Sequence, residues 1–485
     1  MRLWVFLFFV GLYVATTAGH IYTIDGYLNY GVTSSLGTRG SLEIPKFMMT
    51  VEGRGGRHYS KLGVGQSLAG LPLFWVGSLV EHTAPGDRVW RVYADRVNIP
   101  DRSGMVSAAP QDIVRASEAE GARIFFTTLT NAWITAVVCL LFWSLLRRYG
   151  LSRRAALFAT CLLGFATPFW VYSRDYFAEP LFTACLLGSL YLVTDPAKHA
   201  ASRRLVAAGL ATSLGMLTRA SFIPVAAIFA IYLAVGARDR AEGARMAARY
   251  ALACLPGLAV AGALNYYRFG GILLTGYHTA FDKGFSLPLA KGIYWNLASP
   301  YRSIVLYAPV VVLFALGVRE FARRHRAEAW LVVSITAYIF LVYSRWWAWH
   351  GGWCWGPRFL LPVIPLLMLV GLVGARGRRW LPATAAALGL AGFCVQLVGV
   401  LVNYTAAYDY WIKIKKLDWG EAGIENFSPI AVHAKAVLAN GPGQYDLWLV
   451  QASKVIGWNT LWVVLPLAAL VWISAARILR PARDT

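Results

Sequence analysis

The chain has 485 residues, 58% of them hydrophobic and only 14% charged. A single soluble core stops growing near about 250–300 residues and needs a far more charged surface, so a soluble enzyme is excluded. The formal net charge of +22 comes from 46 Lys and Arg against 24 Asp and Glu, and the placement of the basic residues decides what it means.

Long charge-free runs occupy 3–24, 62–80, 124–146, 155–173, 180–194, 205–218, 220–237, 250–267, 303–318, 329–344, 359–375, 380–408 and 455–476. Most approach the roughly 17–25 residues that cross a hydrocarbon core about 30 Å thick, which predicts an all-α polytopic membrane protein. Between the runs lie basic clusters: Arg147, Arg148, Arg153 and Arg154; Lys198, Arg203 and Arg204; Arg238, Arg240, Arg245 and Arg249. Three more follow: Arg319, Arg323, Arg324 and Arg326; Arg376, Arg378 and Arg379; Arg477, Arg480 and Arg483. This is the positive-inside pattern of short cytoplasmic loops, and no aromatic-interleaved stripe points to nucleic acid. Alternation holds if 62–80 dips into or lies along the outer surface. The expectation is then a single integral domain, 1–485, of about 12 spans plus that juxtamembrane helix, with both termini cytoplasmic. The outer side receives 20–123, the turns at 172–179 and 219, and the segments 266–302, 345–358 and 403–454.

In chain order, Met1–Gly19 is the first span, although its apolar run and small-residue end also fit a cleaved signal peptide. The polar-aromatic stretch Tyr22–Tyr30 predicts an interfacial helix. Gly53, Gly55 and Gly56 mark a turn leading to Tyr59-Ser60-Lys61. Gly63-x-Gly65 has neither a preceding strand nor a Gly-Lys-Ser/Thr, so a phosphate-loop reading fails. The six cysteines form no CxxC pair and read as small buried hydrophobes.

Ionisable groups at the outer ends of helices carry the functional signal, because charges at membrane depth cost roughly 2.5–3.5 kcal/mol each. They are Asp25; Arg174, Asp175 and Glu179 in one short turn; Arg219 in an apolar hairpin; Arg268 after Asn265-Tyr266-Tyr267; and Arg345, His350 and Arg358 around Trp346, Trp347, Trp349, Trp353 and Trp355. Arginine forks at the outer edge suit a phosphate, and tryptophans such as Trp349 suit a lipid chain or sugar face. A carboxylate in the same cleft can take the proton of an acceptor hydroxyl. Each feature also has a plainer reading. The Arg345–Arg358 segment resembles an aromatic belt, Asp175 and Glu179 could pair with Arg174, Arg219 could cap a helix, Lys61 could meet a headgroup, and Asp25 could cap a helix. The common outer face argues against all of these holding at once.

Four features together resemble the membrane glycosyltransferases of the GT-C fold, in particular the bacterial branch related to protein O-mannosyltransferases and lipid A aminoarabinose transferases. They are Asp25 just after the first helix, the Tyr59-x-Lys61-x-x-x-Gly65 segment, the Arg174-Asp175 turn with Glu179, and the Trp-rich Gly356-Pro357-Arg358 segment. The resemblance implies an inverting transferase that moves a hexosyl or pentosyl group from a polyprenyl-phosphate donor to a glycan, protein or lipid hydroxyl. It makes Asp25 the catalytic base and Tyr59 and Lys61 donor contacts. Asp175 or Glu179 becomes a second acid that orients substrate or holds a divalent metal. Arg174, Arg219, Arg268, Arg345, Trp349, His350 and Arg358 complete the expected substrate-binding set on the outer face, and high Ala, Arg and Trp usage with short loops suggests a bacterial inner membrane. Gly26 follows Asp25 where many members carry a second acid, which counts against a metal there. A transporter or flippase of lipid-linked glycans is the alternative, predicting ionisable residues at mid-membrane and repeat symmetry. A non-catalytic scaffold is the third reading.

Overall fold

The computed structural model describes all residues except 22, 47–48, 84–89, 91, 93–119, 196–201, 238, 278–281, 404–426, 440 and 481–485. Tyr22, Lys198, Arg238, Arg483 and much of the segments 20–123 and 403–454, expected on the outer side, therefore lie outside the described residues.

Helices dominate. The first half contains α1 (Arg2–Ala15), α2 (Ile24–Arg39), α3 (Gly65–Glu81), α4 (Gly121–Arg148), α5 (Arg153–Phe165), α6 (Glu179–Val193), α7 (Ser202–Thr218), α8 (Phe222–Val235) and α9 (Arg240–Phe269). The second contains α10 (Leu289–Leu297), α11 (Leu313–Arg324), α12 (Arg326–Arg345), α13 (Ile364–Gly374), α14 (Leu381–Leu401), α15 (Pro429–Ala439), α16 (Trp448–Ile456) and α17 (Leu461–Leu479). The one sheet among the described residues is an antiparallel hairpin, β1 (Thr50–Glu52) with β2 (His58–Ser60), Val51 facing Tyr59. Its turn places Gly55 and Gly56 at φ 70° and 71°, the left-handed region that glycine enters without steric cost.

Among the described residues, five helical stretches are long and apolar enough to cross a membrane: Gly121–Arg148, Arg240–Phe269, Arg326–Arg345, Leu381–Leu401 and Trp448–Leu479. Shorter apolar helices, among them Arg2–Ala15, Glu179–Val193 and Phe222–Val235, pack with them. The protein is thus a multi-pass, all-helical membrane protein. Two expected runs are not continuous helices. The run 155–173 stops at Phe165, just before Pro168, and 303–318 is broken into short turns around Pro309. Proline removes a backbone donor and disfavours the α conformation of the residue before it.

Burial separates interior from periphery. α4, α6 and α13 lie inside, and α13 is buried at nearly every position. α17 leaves Trp462, Leu465 and Trp472 largely exposed, as a lipid-facing helix does. Lipid gives apolar helices little reason to prefer one another, so close approach of small residues decides their packing. At the α11–α13 crossing a Cβ on Gly317, Gly371 or Gly374 would run into the facing backbone.

Candidate active site

The site is built on the turn Tyr172–Glu179, which enters α6. Asn131 of α4 donates to the carbonyls of Tyr172 (3.3 Å), Asp175 (2.5 Å) and Phe177 (2.8 Å), and Gln66 of α3 donates to Asn131 Oδ1 at 2.9 Å. Asn29 of α2 donates to the Tyr176 carbonyl at 3.1 Å. An unpaired amide here would be expensive, so the network holds the turn, α2, α3 and α4 in one arrangement.

Asp175 is fully buried below that arrangement. Its Oδ2 accepts the Thr23 hydroxyl at 3.0 Å and its Oδ1 accepts the Tyr176 N–H at 2.6 Å. Thr23 is the N-cap of α2, its hydroxyl accepting the Gly26 N–H at 3.1 Å. Asp25 therefore sits in the first helical turn, where the N-terminal dipole favours a carboxylate. Its Oδ2 meets Arg358 Nη1 at 2.6 Å. Arg358 Nε donates to Glu179 Oε1 at 2.6 Å, and Arg219 Nη2 donates to the same oxygen at 2.6 Å. The result is an alternating chain Asp25–Arg358–Glu179–Arg219, in which Arg358 is 4% and Glu179 2% exposed while Asp25 keeps 22%. Ions this buried are tolerated only when paired.

The positive side of the chain opens on a cavity of about 150 Å³ lined by Lys61, Arg219, Asn265, Arg268, Tyr277 and Arg358, with apolar wall from Leu62, Val64, Met216 and Leu264. Burial holds the Lys61 ammonium below the usual lysine range, while the charges of Asp25 and Asp282 act against that shift. Lys61 Nζ lies 5.1 Å from the Tyr277 ring centre. Arg268 is fixed by the carbonyls of Ser60 (2.9 Å) and Leu62 (3.1 Å) and by Asn265 Oδ1 (3.0 Å), which docks the β hairpin on the end of α9.

The other candidates lie elsewhere. Arg174 is fully buried, donating to the carbonyls of Thr16 (2.8 Å) and Gly399 (3.3 Å), to the Asp446 carbonyl and to Asp446 Oδ2 (3.1 Å). His20 binds the other oxygen of Asp446 at 2.8 Å. Tyr59 is buried between the rings of Tyr267 and Phe269. Arg345 is exposed and donates to the Phe285 carbonyl at 3.0 Å. Trp349 stacks on Trp295 at 4.4 Å, inside a small aromatic cluster with Tyr301. His350 accepts the Gly352 N–H at Nδ1, and burial together with the Arg302 charge pushes its pKa down to about 3, so it is neutral at physiological pH.

Sequence reasoning missed Tyr277, Asn131, Asp446 and above all Arg302. Arg302 is 1% exposed and donates to the carbonyls of Gly352 (2.7 Å) and Gly356 (2.9 Å) and to Cys354 Sγ. It shapes the loop whose Gly351 carbonyl accepts from Arg358 Nη1 at 3.0 Å. A charged residue just before the apolar run 303–318 was the available signal. The residues offered for a metal do not fit one. Glu179 Oε1 is taken by two guanidiniums and Asp175 by a hydroxyl and an N–H, and among the described residues no three His, Cys, Asp or Glu converge.

This arrangement of membrane helices is the GT-C fold. The chain superposes on ArnT from Cupriavidus metallidurans with a TM-score of 0.51 at 14% identity, covering 98% of this chain and 77% of that one. The same values hold for ArnT bound to undecaprenyl phosphate. The archaeal oligosaccharyltransferase AglB from Archaeoglobus fulgidus, solved with an inhibitory peptide and a dolichol-phosphate, gives 0.45 at 12% identity over 94% of this chain and 56% of its own. Residues 120–261 match the family model of dolichyl-phosphate-mannose-protein mannosyltransferases. No curated protein sequence matches the chain.

Proposed function

We propose that this protein is an inverting glycosyltransferase of the bacterial inner membrane. It moves a sugar from a polyprenyl-phosphate donor to an acceptor hydroxyl on the outer face, through about 12 spans with both termini cytoplasmic and 62–80 dipping. The observation that carries the reading is one small cavity lined by Lys61, Arg219, Arg268 and Arg358, with Asp25 paired to Arg358 beside it. The match to a mannosyltransferase family model and the binding of undecaprenyl phosphate by ArnT support it.

The roles follow from the chemistry. The acceptor oxygen attacks the anomeric carbon from the face opposite the phosphate, and the carbon–oxygen bond to phosphate breaks with its electron pair going to the departing phosphate. Asp25 takes the hydroxyl proton. Lys61, Arg219 and Arg358 balance the charge that grows on the leaving oxygen, an interaction stronger in the transition state than in the bound donor. Arg268 fixes the cavity floor through the backbone of residues 60–62. Leu62, Val64, Met216 and Leu264 offer an apolar wall to the first prenyl units. Asp175 acts through Thr23, setting the start of α2 and thereby the position of Asp25. No step passes through a metal.

The test uses the purified protein in nanodiscs with a panel of radiolabelled polyprenyl-phosphate sugars, wild type beside Asp25→Asn. Transfer by the wild type, lost in the variant while donor still binds, is the expected result. Equal turnover in both would remove Asp25 as the base, and absence of binding to any donor would overturn the reading.

A further inference from the structure

The contact between Asp25 and Arg358 poses a chemical problem. A carboxylate that must collect a proton from a hydroxyl instead lies 2.6 Å from a guanidinium nitrogen. Arg358 is held from the far side as well. Its Nε is on Glu179 Oε1 at 2.6 Å, and its guanidinium carbon lies 4.1 Å from the Phe177 ring centre. The hold is incomplete in a particular way. Glu179 Oε2 is buried without a hydrogen-bond partner, and neither Arg358 Nη2 nor Asp25 Oδ1 has one among the described residues.

Nε and Nη2 lie on the same side of a guanidinium and together make the fork that grips both oxygens of a carboxylate. Arg358 thus has two arrangements open to it. In one, Nη1 reaches Asp25 and only Nε touches Glu179. In the other, Nη1 is given up and the Nε–Nη2 side closes on both oxygens of Glu179. What would tip the balance is an anion in the cavity that Arg358 lines with Lys61, Arg219 and Arg268. A phosphate there competes for Nη1 and repels the Asp25 carboxylate, so both effects act in one direction.

We propose that Arg358 gates the base: it holds Asp25 in the donor-free protein, and the phosphate of a polyprenyl-phosphate donor takes over that contact and releases the carboxylate. Glu179 is the hinge, a positioning residue that keeps Arg358 at the cavity wall in both arrangements. The gate rests on the glycosyltransferase reading and adds an order to it. Donor binds first, and no acceptor hydroxyl or water is deprotonated at an empty phosphate site.

The experiment follows Asp25 directly. Wild-type protein in nanodiscs is treated with a carbodiimide and an amine nucleophile, with and without undecaprenyl phosphate, and the adduct at Asp25 is quantified by peptide mass spectrometry. Binding of the lipid is measured in the same preparation. Slow labelling that rises severalfold when the lipid is bound is the expected result. Lipid binding with unchanged or reduced labelling overturns the gate and leaves the enzyme reading standing. Failure of the lipid to bind overturns both. Arg358→Lys gives a second readout, because one ammonium cannot hold both carboxylates. Asp25 should then label rapidly without lipid and gain nothing from it, whereas a wild-type response in this variant counts against the gate. Should Arg358→Lys not fold, the wild-type comparison decides alone.

Discussion

The turn Tyr172–Glu179 carries two buried arginine–carboxylate clusters whose parts look alike and whose surroundings differ. At one end, Glu179 joins Arg219 and Arg358 to Asp25 beside a cavity. At the other, Arg174 joins Asp446 and His20, none of which lines that cavity, and binds the carbonyls of Thr16 and Gly399 as well. In the second cluster the three nitrogens of Arg174 all go to the protein itself, so it ties the end of α1, α14 and the segment before α16 together. In the first, hydrogen-bonding capacity is left over: Glu179 Oε2 is unpaired and Asp25 is partly exposed. Residual hydrogen-bonding capacity, rather than charge or burial, distinguishes the first cluster from the second.

Substitutions should pull the two clusters apart. The largest effect belongs to Asp25→Asn, which should lower kcat by about 10²–10⁴-fold with donor binding and thermal stability kept. Loss of donor binding instead would place Asp25 with the fastenings. Arg174→Ala is expected to do the opposite. It leaves the Asp446 carboxylate with His20 alone and three carbonyls without their donor, at a cost of about 3–5 kcal/mol, visible as a lower unfolding temperature in detergent. Unchanged stability would show that the second cluster ties nothing together.

Lys61 should give a pH signature. Its ammonium titrates below the ordinary lysine range because burial disfavours the charge, so the charge is present at lower pH and lost as pH rises through that lowered value. The alkaline limb of kcat/KM should therefore fall earlier than an exposed lysine would allow. Lys61→Arg, charged throughout, should move the limb upward. A limb unaffected by that change would assign it to another group.

The smallest effect joins the clusters. Thr23→Val removes the N-cap of α2 and one donor to Asp175, for about 1–2 kcal/mol in stability. Because Asp25 follows two residues later, kcat should fall more than donor affinity, and an equal fall in both would mean that the cap holds only the helix.

Much of this candidate site was legible in the chain. Asp25, Lys61, Glu179, Arg219, Arg268 and Arg358 stand out because ionisable residues beside long apolar runs are costly and few. Arg174 stands out for the same reason, and nothing local marks it as a fastening. Trp349 and His350 stand in a conspicuous aromatic segment, where Trp349 packs against Trp295 and His350 accepts the Gly352 N–H. Arg302 went unnoticed because it stands alone before an apolar run, with its partners about 50 residues away in the Gly352–Gly356 loop.

The order of residues along the chain determined that it spans a membrane through many helices and that some helix ends carry acids and arginines. Partitioning into lipid and helix formation depend on contiguous stretches of residues, which a sequence displays directly. Only the tertiary structure decided which arginine meets which acid. Asp25, Glu179, Arg219 and Arg358 come from four separate elements, and their contacts follow from how helices pack through small residues and buried amides. Pairing across such distances is set by that packing, because a buried charge takes whichever partner the fold brings within reach.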